Sequence, residues 1–160
     1  MTSTTSTDTR AGDNAEYPAG SGAGPRFVHL RLHTEYSITD SVVRIDDAVA
    51  RAADDGMPAI AITDLANMFG MVKFYKAARA KGLKPILGCD LWLTNSSERD
   101  KPHRVLVLVQ SRAGYLRLSE LLSRAWLQNQ HRGRAEVDPA WFAPENGGSD
   151  GLLLLSGGMN

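Results

Sequence analysis

Apolar side chains change their spacing several times along the chain, and each change predicts an element. From residue 27 to 33 apolar and polar positions alternate, as in a strand. Val28, Leu30 and Leu32 share one face, and His29, Arg31 and His33 share the other. Two imidazoles and a guanidinium on one side need an opening or a polar network there. Ile45, Ala48, Val49 and Ala52 lie at helical spacing, so a helix is predicted over 44–55 with Gly56 as its stop. A strand follows over 59–63, then a helix over 71–81 with Gly82 after it. A strand over 85–87 extends through Leu91 to Leu93, and a polar loop over 95–102 leads to a strand over 104–110. Ser111 is placed to cap a long helix to about residue 128, with Leu116, Leu118, Leu121, Leu122 and Trp126 available for burial. A basic loop with a solvated His131 comes next, then Asp138-Pro139 as cap and first-turn proline of a short helix. Residues 151–156 read as a fifth, buried strand.

Strands alternating with helices predict an α/β fold of βαβ units around a parallel sheet, either open or rolled into a barrel. Residues 1–25 are rich in Ser, Thr, Gly and Ala and nearly devoid of large apolar side chains, which predicts a disordered tail. The remainder, 26–160, is long enough for one domain with one sizeable core. Eighteen basic residues balance eighteen acidic ones, whereas a surface that grips nucleic acid through its phosphates is usually basic. Cys89 is the only cysteine, so no internal disulfide can form, which fits a reducing cytoplasm. No apolar run is long enough to span a bilayer, and no secretory signal precedes Phe27.

Polar residues gather where the predicted strands end: His33 after the first, Asp64 after the second, Asp90 after the third. In parallel α/β folds these C-terminal ends form the functional rim. The run from Phe27 to Asp40, the block Thr63-Asp64-Leu65-Ala66-Asn67 and the block Lys84-Pro85-Ile86-Leu87-Gly88 together resemble the N-terminal PHP (polymerase and histidinol phosphatase) domain of bacterial DNA polymerase III alpha subunits, of the replicative type found in Gram-negative bacteria. The resemblance runs from Arg26 to about Gly158. It implies a distorted (β/α)7 barrel, incomplete in this chain, whose active members hold several divalent ions through histidines and bridging carboxylates to cleave phosphoesters.

Carried over residue by residue, the leading His of the first motif is replaced by Arg31, while His33 and Asp40 are kept and the usual following Gly is Ser41. In the second motif Leu65 replaces a His; in the third Asp90 replaces a Glu. Arg31 stays protonated and cannot ligate a cation. The expectation is therefore a degenerate PHP site without metal, in which Arg31 is ion-paired with some of Asp40, Asp64 and Asp90. For Asp64, a turn-shaping or capping role is an equal alternative. Cys89 is expected to be a small buried hydrophobe. No paired-Asp palm motif occurs, so the chain is expected to be an N-terminal fragment of a cytoplasmic polymerase subunit, with strand edges left exposed. In that parent, magnesium would serve a polymerase domain elsewhere, DNA would be bound elsewhere, and this non-catalytic scaffold would meet the proofreading exonuclease subunit and the rest of the holoenzyme. The alternatives are an active metal-dependent phosphoesterase or 3′-5′ exonuclease, and a stand-alone protein-binding module.

Overall fold

The computed structural model describes residues 27–156; the tail expected over 1–25 and the last four residues lie outside them. Strands β1 (Ala59–Ile62), β2 (Lys84–Leu93), β3 (His103–Val109), β4 (Gln130–His131), β5 (Arg134–Val137) and β6 (Leu152–Ser156) form a six-stranded sheet. Helices α1 (Ile45–Asp54), α2 (Met71–Ala80) and α3 (Arg112–Gln128) pack around it. The strand order is β4-β5-β2-β3-β6, with β1 also beside β2. This is a mixed α/β fold, and among the described residues its sheet is open: β6 pairs with β3 alone.

Three expectations are corrected. The sheet is mixed rather than parallel, because β2–β3 and β3–β6 are antiparallel. No helix separates β2 from β3, and the short loop between them cannot carry a chain back for parallel pairing. The basic loop around His131 is a hairpin, β4–β5, turning through Arg132 and Gly133, both at positive φ. Its His131 is held by Asp100 at 2.7 Å. Finally, 27–33 is an extended segment rather than a ladder strand. It touches β1 through separated bonds, Ala61 N–H to the His29 carbonyl and Thr63 N–H to the Leu32 carbonyl, both 2.9 Å. A partial correction concerns 151–156: Leu152 is buried, but Leu153 and Leu154 are exposed, as befits an edge strand.

Side-chain alternation divides the core. Cys89, Leu91, Val105 and Val107 face α3 and join Leu118, Leu121, Leu122 and Ala125. Residues one position out of phase, Leu106 and Leu108, turn to the opposite face, where they meet Ala61, Ile86 and Leu155. Ile45, Val49 and Ala52 of α1 pack with Phe74 and Ala78 of α2 over β1. Gly88 carries none of this packing, yet a Cβ there would collide with the Val107 carbonyl, so only glycine lets β3 approach so closely. Ser111 accepts the Gly114 N–H at 3.1 Å and caps α3. Every buried side-chain nitrogen and oxygen among the described residues has a partner.

Candidate functional site at the strand ends

The register of β2 and β3 places the central carboxylate. Asp90 lies opposite Leu106, and Trp92 lies opposite Arg104. Asp90, Trp92, Arg104, Leu106 and Leu108 therefore share the face turned away from α3. Beyond β1 the chain stays beside β2: Leu65 bridges Asp90, the Asp90 N–H donates to the Asp64 carbonyl at 3.1 Å, and the Ala66 N–H donates to the Asp90 carbonyl at 2.9 Å. Asp64, just past the end of β1, and Asp90 thus stand side by side, and Asp90 lies within β2 rather than after a strand as expected.

Asp90 is completely buried and receives three side chains from two segments, the extended stretch before α1 and the strand β3. Arg31 donates from Nε at 2.8 Å and from a terminal nitrogen at 2.5 Å, both to Oδ2. Arg104 donates from Nε to Oδ1 at 3.0 Å and from its Nη2 to Oδ2 at 2.7 Å, a bidentate fork. His33 Nε2 lies 3.0 Å from the same Oδ2. Burial alone would raise the Asp90 pKa, but the His33 and Arg104 hydrogen bonds and the two arginine charges outweigh it and hold the carboxyl well below the usual range.

Asp40 does not meet Arg31 in a salt bridge; it takes the other nitrogen of His33, Nδ1, at 2.8 Å. Both partners of the ring are acceptors, so the doubly protonated imidazole satisfies the geometry. The His33 pKa is accordingly raised, first by the Asp90 bond, against the opposing effect of burial, and then by Asp40. Ser41, standing where the family pattern has glycine, donates to the His33 carbonyl at 2.7 Å and fixes the loop from below.

Asp64 is equally buried yet makes no salt bridge among the described residues, which removes it from the ion-pair cluster. It caps the turn Glu35–Ser37: Oδ1 accepts the Thr34 N–H at 2.5 Å and the Ser37 hydroxyl at 2.8 Å, and the Thr34 hydroxyl lies within 2.9 Å of both carboxylate oxygens. Ser37 in turn accepts the Leu65 N–H at 3.0 Å. The Cys89 thiol is buried behind this pair, donates to the Asp64 carbonyl at 3.1 Å and has its pKa pushed up by burial.

Sequence reasoning missed Arg104 and Trp92. The Arg104 guanidinium lies 4.2 Å from the Trp92 ring centroid while it grips Asp90. Reading 104–110 as antiparallel to 85–93 would have placed both beside Asp90, two residues apart on one face. It also missed a second buried carboxylate, Glu136, which Arg99 meets at 3.1 Å and Arg134 at 3.4 Å.

The model of the PHP domain family matches residues 29–160. The chain belongs to the PHP family. DNA polymerase III subunit alpha of Neisseria meningitidis (serogroup A, strain Z2491) is 48% identical over 134 residues, 83% of this chain and 12% of that protein. The subunit of the same name from Pseudomonas fluorescens is 46% identical over 130 residues, 81% of this chain and 11% of its own length. That of Escherichia coli K12 is 40% identical over 134 residues, covering 84% and 11%. This PHP chain therefore spans about one eighth of the length of the curated relatives it matches. Among solved structures, an amidohydrolase from Chromobacterium violaceum overlaps 61% of this chain and 32% of its own at 18% identity, with a TM-score of 0.49.

Proposed function

We propose that this chain is the N-terminal part of a replicative DNA polymerase III alpha subunit, and that its PHP unit is a non-catalytic scaffold with no metal at its rim. The relatives that carry that name match the chain over more than four fifths of its length. The observation that carries the second half of the reading is the donor set around Asp90. Where the family holds cations, the carboxylate faces two guanidiniums and an imidazole. Leu65 beside it offers no ligand, and Asp64 is taken up by the Glu35–Ser37 turn. These residues do not fit a divalent ion. They fit a clamp that ties the segment before α1 to β2 and β3.

In the parent protein, nucleotide transfer and its magnesium belong to another domain, DNA is held there, and this unit presents surfaces to the proofreading exonuclease subunit and the rest of the holoenzyme in the cytoplasm. No helix among the described residues is long and apolar enough to cross a membrane. The test is hydrolysis of a phosphomonoester and of single-stranded DNA with manganese or zinc, by the full-length polypeptide that the reading frame encodes and by its Asp90→Asn variant. Equal background from both is expected. Metal-dependent hydrolysis lost with Asp90 would establish an active phosphoesterase instead.

A further inference from the structure

Building on the scaffold reading, we infer that Arg104 is the principal barrier to metal at Asp90, and that Arg31 is the lesser one. The two arginines differ in how firmly they are held. The Arg31 side chain is 44% exposed and lies on an extended segment that touches β1 through scattered bonds. That of Arg104 is only 9% exposed, springs from the middle sheet and lies against the Trp92 ring. Its fork takes one position on each carboxylate oxygen, so no rotation of Asp90 presents a face clear of it.

Lone-pair accounting leads to the same place. An ionised carboxylate offers about four acceptor sites. Asp90 has Arg104 on Oδ1 and Arg104, Arg31 and His33 all on Oδ2. Restoring the family's histidines at positions 31 and 65 would remove one guanidinium and add two ligands, yet the buried fork would still hold both oxygens. A divalent ion placed on Asp90 would then share the carboxylate with a fixed positive charge in a poorly solvated pocket, where repulsion is screened little.

The experiment counts zinc in the full-length polypeptide as the excess over the unmodified protein, so that sites elsewhere cancel. The double variant Arg31→His/Leu65→His is expected to gain none. Adding Arg104→Gln should raise zinc affinity roughly 10–100-fold over the double variant, the scale typical of groups that control a ligand's orientation. Arg104→Lys in the same background keeps a charge for the buried carboxylate if the Gln variant does not fold. Its ammonium cannot fork, so a smaller gain is expected. Zinc taken up by the double variant as tightly as by either triple variant would overturn the assignment to Arg104 alone, as would no gain in a triple variant that folds. Stoichiometric zinc in the unmodified protein that vanishes with Asp90→Asn would overturn the metal-free reading beneath it.

Discussion

Asp64, just past the end of β1, and Asp90, within β2, are neighbours, both buried, and they are satisfied in opposite ways. Asp90 is surrounded by cationic donors reaching in from Arg31, His33 and Arg104. Asp64 is surrounded by neutral donors, a backbone N–H and two hydroxyls from Thr34 and Ser37. Asp64 organises one turn, Glu35–Ser37, whose short polar side chains lie against it although they stand 27 to 30 residues away in sequence. Asp90 joins the segment before α1, β2 and β3, through two arginines and His33.

The comparison breaks most readily at Asp90. Asp90→Asn leaves buried Arg104 without its counter-charge, and the expected loss is about 3–5 kcal/mol of opening free energy, read by hydrogen exchange at the β2 and β3 amides. Asp64→Asn keeps an oxygen for Thr34 and Ser37 and forfeits one of its acceptor positions, so its cost should be nearer 1 kcal/mol, confined to amides of the Glu35–Ser37 turn and Leu65. Comparable losses at the two sites would dissolve the distinction between clamp and cap.

The smallest effect sharpens it through pH. The raised pKa of His33 means that its bonds to Asp40 and Asp90 add stability that is fully present below about 6.5 and declines as pH rises through the folded value. Protection of the loop around Asp40 should therefore weaken on going from pH 6 to pH 9, and His33→Gln should flatten that slope. On the acid side the sign reverses. The Asp90 contribution is present above the ordinary carboxylate range and is lost only as pH falls through its much lowered value, so the clamp should outlast protonation of exposed carboxylates.

Much of the fold is legible from residue spacing. The three helices fall at the positions that helical periodicity gives, with Ser111 and Gly82 marking ends that side-chain chemistry dictates. Strand direction is less legible, because period two is the same in parallel and antiparallel ladders; the missing helix between β2 and β3 was the available clue. The hairpin was hidden because its apolar content is two residues, Ala135 and Val137, among polar and basic ones. At the site, motif positions bring Arg31, His33, Asp40 and Asp90 together. They say nothing of Arg104, which reaches Asp90 through the pairing of β3 with β2. Leu116 and Trp126 show the same limit: helical spacing offers them for burial, yet both are substantially exposed because the sheet covers only the stripe through Leu118, Leu121 and Leu122.

The first turn of α3 lies against the bend that enters β6. A side chain on Gly114 would strike the Gly151 carbonyl, and one on Gly151, whose φ is 75°, would strike the Ser111 hydroxyl. Two hydrogen atoms are all that separate helix from bend. The outermost ribbon of the sheet is therefore parked by a notch with no tolerance for growth, so a side chain at either glycine would displace the whole of β6.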